Sequence, residues 1–361
     1  MDFSLFADDD PRRLEIRAWL KGHPLPSQTE LAEAGYVAPG WPPPWGLNAT
    51  PELQLLISAE LERAGVPPIA NTIGIGWAGP TLLAAGSEEQ KARYLAPLLR
   101  GEELWCQLFS EPGSGSDLAS LATRAVRDGD EWVVNGQKIW TTWADQADFG
   151  ILLARTDPTA PKHRGISYFL CPMRHPGVEV RPIREMTGGR HFNEVFLNDV
   201  RIPAANLVGP EGGGWALARV TLGNERLSLS TGGVVWGMGP KTSALLERAG
   251  QVDDPRLVQR LVSMHIEAEV MRLLGLRIVW ALVAGRPGPE AAVKKLLADR
   301  HGQVVMNLAK DLAGAAGLIN DGSPWHWGFL FSPALTVGGG TAEVLRDLVG
   351  ESLLGLPRER L

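Results

Sequence analysis

The sequence is poor in features that would mark several classes of protein. Only two cysteines, Cys106 and Cys171, stand in 361 residues. They make no disulfide framework, and no Cys-x-x-Cys pair exists to hold zinc. Positive charge is not in excess: Lys plus Arg is 35 against 41 for Asp plus Glu, a formal net charge of −6. Broad nucleic-acid binding needs clustered positive charge, so the balance argues against it. No apolar run approaches the roughly 18 residues of a membrane-spanning helix. The start has no basic flank and apolar stretch of the secretory kind, and Asp8, Asp9 and Asp10 follow it. A reduced, cytoplasmic protein is therefore expected. The P-loop, HExxH and GxSxG signatures are missing too. What remains is ordinary for a globular chain, with 44% hydrophobic and 21% charged residues. At roughly 150 residues per domain, the length allows two or three domains.

Three textures follow one another. The first hundred residues read mostly as helix. Thr50-Pro51 is an N-cap followed by proline at N1, ahead of Leu53, Leu56, Ile57, Glu60 and Leu61 at helical spacing. Ser87-Glu88-Glu89-Gln90 matches a capping box before Tyr94, Leu95, Leu98 and Leu99. The prolines between 39 and 44 exclude helix interior. Near Trp105 the pattern turns to β. Asn135-Gly136, flanked by apolar segments, predicts a hairpin turn. Strands are expected at 150–154, 166–171, 178–182 and 193–200, a spacing that suggests a small antiparallel barrel or sandwich. After Gly212-Gly213-Gly214 helices return, one starting at Asp254-Pro255, one from about Pro289 toward Leu312, and one from Thr341 to Leu353. No internal repeat is visible.

Gly74-Ile75-Gly76-Trp77-Ala78-Gly79 matches GxGxxG, but helical and proline-containing sequence precedes it where a dinucleotide site needs a strand. Close helix packing is the expected reading. His265, Glu267 and Glu269 could share a helix face, yet surface pairing or core hydrogen bonding is the simpler reading without further ligands at matching spacing, and no metal is expected. The remaining histidines form no constellation. The informative stretch runs from Trp105 through Leu108-Phe109-Ser110-Glu111-Pro112-Gly113-Ser114-Gly115-Ser116-Asp117. Glycines let backbone approach a ligand closely, and hydroxyls and amides can bond polar ring edges. With Trp140-Thr141-Thr142-Trp143, it offers an aromatic wall and hydroxyls suited to a planar heteroaromatic cofactor. Core tryptophans beside a serine-glycine surface loop are the alternative from physics alone.

Residues 110–117 (Ser-Glu-Pro-Gly-Ser-Gly-Ser-Asp) and 135–142 (Asn-Gly-Gln-Lys-Ile-Trp-Thr-Thr) resemble the acyl-CoA dehydrogenase family. So do Asn198-Asp199-Val200-Arg201-Ile202-Pro203, the Asn206-Leu207-Val208-Gly209 stretch, and the tail Gly339-Gly340-Thr341-Ala342-Glu343 with Leu354-Gly355-Leu356-Pro357-Arg358. The motifs stand in order over nearly the whole chain. The resemblance implies an α+β, mainly α fold: an N-terminal helical domain (1–104), a middle antiparallel β-barrel (105–210) and a C-terminal four-helix bundle (211–361). It implies FAD, held by Gln107, Leu108, Ser110, Ser116, Trp140 and Thr142. Ser110 would bond the polar edge of the flavin, Trp140 would stack near the ring, and Thr142 would bond near the nitrogen that receives hydride. Ser116 would contact cofactor phosphate or the CoA side. Arg226, Gly339 and Gly340 are expected at the substrate, with a backbone N–H of the 338–340 loop on the thioester carbonyl.

In many family members the catalytic carboxylate stands immediately before the Gly-Thr of that last loop. Here Gly339 occupies the place and can abstract nothing. A subset places the base within a Glu-Arg pair on the first long helix of the C-terminal domain, which here is Glu225-Arg226. Glu225 is therefore the expected base; simple pairing with Arg226 or capping is its structural alternative. The family's Arg-x-x-Phe-Gly stretch is absent around 249–255, and Asp311-Leu312-Ala313-Gly314-Ala315 replaces its Gln-x-x-Gly-Gly. Both departures are similar to the branch with two-subunit complexes. The expected partners are an acyl-CoA, an electron-transfer flavoprotein, and either further copies or a related subunit. An oxygen-using oxidase and a non-dehydrogenating or supporting flavoprotein of the same fold are the alternatives.

Overall fold

The computed structural model describes residues 7–231, 234–283 and 290–357. Pro289 and Arg358, named in the sequence reading, lie outside them. The chain divides into two compact units, Met1–Glu185 with Gly189–Asn224, and Met186–Gly188 with Glu225–Leu361.

The first unit opens with helices α1 (Pro11–Gly22), α2 (Gln28–Glu33), α3 (Pro51–Arg63), α4 (Gly79–Ala85) and α5 (Glu88–Arg100). Their starts are written locally. Thr50 caps α3 through Leu53 N–H, and Ser87 and Gln90 form the expected capping box on α5. Gln90 goes further, because its amide also donates to Ala205 O and Leu207 O, at 2.6 and 2.9 Å. The GxGxxG stretch is a π-turn leading into α4. Gly79 packs against the Trp41 ring and Gly74 against Leu98, so these glycines serve close packing.

Eight strands follow: β1 (Trp105–Leu108), β2 (Arg124–Asp128), β3 (Glu131–Thr142), β4 (Phe149–Arg155), β5 (Ile166–Pro172), β6 (Val178–Pro182), β7 (Phe192–Pro203) and β8 (Leu207–Val208). They form one sheet in the order β6-β7-β3-β2-β4-β5-β8, with β1 beside β4. Pairing is antiparallel except for β1 with β4 and a single β2–β4 pair, which are parallel. The sheet is thus not wholly antiparallel as expected.

The Asn-Gly expectation fails. Residues 135–136 lie inside β3, and the chain reverses at Gly129-Asp130, between Asp128 and Glu131, with Gly129 at φ +64°. Asn135 is held instead by Asp199 of β7: its Nδ2 donates to the carboxylate at 2.9 Å, and its Oδ1 accepts from the Asp199 N–H at 2.9 Å. Gly136 sits against Thr123, where a Cβ would collide. A β-bulge and a cross-strand pair outcompete the local turn propensity.

The sheet's core includes Trp132, Val134, Phe169, Val195 and Ile202. Cys106 and Cys171 lie in the same core, each paired across strands with Gly150. Burial pushes both thiols up, that of Cys171 to about 12.

Helix α6 (Gly214–Thr231) runs into the second unit. There α7 (Thr242–Ala249), α8 (Pro255–Val283), α9 (Glu290–Ala313), α10 (Pro324–Phe331) and α11 (Ala342–Ser352) follow. Asp254 caps α8 as expected, and Thr341 caps α11. Helix α9 is the centre of the unit, packing against α7, α8, α10 and α11. The described elements of this unit are all helical, as expected of the C-terminal domain. No helix among the described residues is long and apolar enough to cross a membrane.

Candidate functional site

Strand β1 carries Gln107, half-buried, and Leu108, fully buried, to the start of the serine-glycine loop. The loop folds back on itself: Glu111 N–H donates to Ser114 O at 3.1 Å and Ser114 N–H to Glu111 O at 3.0 Å. It is tied to β3 by the Ile139 N–H, which donates to Ser110 O at 3.0 Å. That bond joins the two sequence motifs and brings Leu108 and Ser110 beside the end of β3. Just there, between Lys138 and Thr141, β3 slips its register against β7. Trp140 takes φ +60°, a region that large side chains seldom occupy. Its indole is turned outward, 57% exposed, and meets Phe192 edge-on at 6.1 Å. Thr142, opposite Phe192, is half-buried. Ser116 lies exposed further along the loop.

Two buried hydroxyl oxygens in this region, Ser114 Oγ and Thr141 Oγ1, have no hydrogen-bond partner among the described residues. An outward aromatic plane, flanking hydroxyls and these two oxygens match the demands of a flat ring with polar edges. The residues present therefore fit FAD.

Beneath the loop lies a pair whose role the sequence reading missed. Lys138 is fully buried. Its Nζ donates to Glu111 Oε1 at 2.8 Å and to Phe109 O at 3.0 Å. The Glu111 carboxylate also accepts from Ala122 N–H at 2.6 Å and Thr123 N–H at 2.9 Å. Burial pulls the Lys138 ammonium down to about 8, against the opposing pull of Glu111. For Glu111, burial opposes the charge, but Lys138 and the surrounding hydrogen bonds leave the carboxyl below its usual range. A signal was available in the sequence: alternation carried forward from Trp132 and Val134 places Lys138 on the buried face of β3.

The second unit holds the expected base. Glu225 is 7% exposed. Gly339 and Gly340 have φ of +70° and +96°, conformations open mainly to glycine. A Cβ built on Gly339 would stand 2.5 Å from Leu229 Cδ1, 2.8 Å from Lys295 Cε and 3.6 Å from Glu225 Oε1. The Glu225 carboxyl thus reaches the space in which a side chain at 339 would begin. Fully buried Lys295 donates to Asp299 Oδ2 at 2.6 Å and to Leu335 O at 3.4 Å. Burial raises the Asp299 carboxyl despite the attraction of Lys295. Arg226 is half-buried on α6.

Glu267 meets His301 Nδ1 at 3.3 Å, and no group of three or more suitable ligands occurs among the described residues.

Comparison with known proteins gives a consistent result. The models "Acyl-CoA dehydrogenase, N-terminal domain", "middle domain" and "C-terminal domain" match residues 6–102, 106–200 and 212–354. "Acyl-CoA dehydrogenase FadE34" of Mycobacterium tuberculosis is 45% identical over 333 residues, which cover 92% of this chain and 46% of that protein. The chain thus spans about half the length of that relative. "Acyl-CoA dehydrogenase IpdE1" of the same organism is 39% identical, covering 96% of this chain and 89% of its own. Among solved structures, "Tcur3481-Tcur3483 steroid ACAD" has a TM-score of 0.84 at 32% identity, covering 99% of this chain and 100% of the other. The "ChsE4-ChsE5 complex from Mycobacterium tuberculosis" has a TM-score of 0.82 at 31% identity, with the same coverages, 99% and 100%.

Proposed function

This chain belongs to the acyl-CoA dehydrogenase family of oxidoreductases, and from that premise we propose that it desaturates an acyl-CoA thioester between its α and β carbons. The product is the trans-2-enoyl-CoA. FAD, when bound, supplies the acceptor for the β-hydride. Leu108, Ser110, Trp140 and Thr142 hold it, with Gln107 and Ser116 contributing from the same strand and loop. The thioester carbonyl is held by a backbone N–H of the 338–340 loop, with Arg226 also on the substrate side. Negative charge developing on that oxygen acidifies the α-proton. Glu225 takes the proton. The three-part division at 104/105 and 210/211 is proposed as the functional one.

The observation that carries the base assignment is the 3.6 Å between Glu225 Oε1 and the point where a Cβ at Gly339 would sit. A carboxylate on α6 comes within van der Waals reach of the loop position that carries no side chain. Glycine at 339 puts no carboxylate side chain of its own beside the reacting carbons. The proposed substrate is accordingly a branched, long or ring-bearing acyl-CoA, a reading supported by the steroid enzyme among the structural relatives. Electrons pass to an electron-transfer flavoprotein; rapid oxygen consumption with substrate would identify an oxidase instead. The heteromeric relative supports assembly with a related subunit or with further copies.

The test is anaerobic titration of wild type and Glu225→Gln with a panel of acyl-CoAs. Wild type should bleach the flavin band, best with bulky chains. The variant should retain flavin and lose turnover by about 10²-fold or more, the scale of a general base. A variant that still bleaches at the wild-type rate would remove Glu225 from the mechanism. Clear preference for short straight chains would overturn the substrate reading.

A further inference from the structure

We propose that Lys138 and Glu111 are positioning residues for the flavin: a buried ion pair that fixes the loop carrying Ser110 to the strand that presents Trp140 and Thr142. The inference rests on the FAD reading above and deepens it.

The argument is geometric. One ammonium reaches two points of the loop, the Phe109 carbonyl and the Glu111 carboxylate, at 3.0 and 2.8 Å. The same carboxylate reaches a third segment through the Ala122 and Thr123 N–H groups. Three stretches, 109–111, 122–123 and β3, therefore meet at one charge pair sealed from water, with Lys138 fully buried. Ser110 lies between the two loop atoms held by Lys138, and its carbonyl is taken by the Ile139 N–H. The register slip that turns Trp140 outward begins at Lys138 itself. The ammonium thus anchors the last inward side chain before the bulge and the backbone on both sides of Ser110.

A buried ion pair is poor evidence of net stability, because desolvation offsets much of the attraction. What it supplies here is a definite geometry. An apolar residue at 138 could fill the space, but it would release the Phe109 carbonyl and leave the Glu111 carboxylate without its countercharge. The loop could then still fold back through the Glu111–Ser114 bonds, but without a fixed distance to β3.

The experiment uses the full chain as purified. Lys138→Met and Glu111→Gln are compared with wild type for FAD dissociation, followed by the rise of flavin fluorescence on dilution, and for the shape of the bound-flavin absorption band. Circular dichroism and thermal unfolding are recorded alongside. The expected result is at least a tenfold weaker hold on FAD and a band shifted toward that of free flavin, with the circular dichroism spectrum kept. Glu111→Gln keeps the side-chain shape and one of the two oxygens that accept from the Ala122 and Thr123 N–H groups, so it carries the test if Lys138→Met does not fold. Wild-type FAD affinity and band shape in the folded variants would overturn the proposal. A wild-type chain that takes up no FAD at all would overturn the underlying cofactor reading as well.

Discussion

At residue 339 a missing side chain does as much as any present one. The backbone there has φ +70°, and the space over its Cα is taken by Leu229 and Lys295. Gly339→Ala should therefore cost about 1–3 kcal/mol from strain and overpacking, read from urea midpoints. It should also depress turnover, because the added methyl displaces Leu229 and Lys295 beside the Glu225 carboxyl. An alanine variant as stable and as fast as wild type would show that the loop relaxes freely. The sequence made the two halves of this arrangement readable, a glycine where a carboxylate is common and a Glu-Arg pair on a helix. That the two meet is a tertiary fact no local pattern contains. Lys138 and Glu111 were readable as letters of their motifs. Their partnership was not, since it depends on how β3 passes under the loop.

Whole elements divide in the same way. Caps are local chemistry, and those of α3, α5 and α8 stand where the sequence puts them. The Asn-Gly turn is also local chemistry, yet β7 supplies Asp199 and overrides it. A tie between helices shows a further case. His301 on α9, 3% exposed, bonds Thr242 of α7 at 3.0 Å and Glu267 of α8 at 3.3 Å. Burial holds its imidazole below the usual value, with Glu267 opposing only in part. The folded-state pKa is thus lower than the unfolded one. As pH falls below about 6.5, the unfolded chain takes a proton that the folded chain resists, so stability declines. His301→Asn should flatten the fall in urea midpoint between neutral and mildly acidic pH. A slope unchanged by the substitution would mean that other groups set it.

For the molecule as a whole, the outer side of α8 is the largest question of assembly. Val258, Val262, Ile266 and Val270 recur every four residues along it, between 41% and 56% exposed. Such a stripe fits the proposed subunit contact. Ile266→Asp should lower the mass seen by light scattering while leaving circular dichroism unchanged; a mass equal to that of wild type would place the contact elsewhere.

The two sulfurs flanking Gly150 add a last consequence. Shut away from water and held protonated, they should ignore a chromogenic thiol reagent while the sheet stays closed. Their labelling then becomes a clock for the opening of β1, β4 and β5, ticking without any engineered tag.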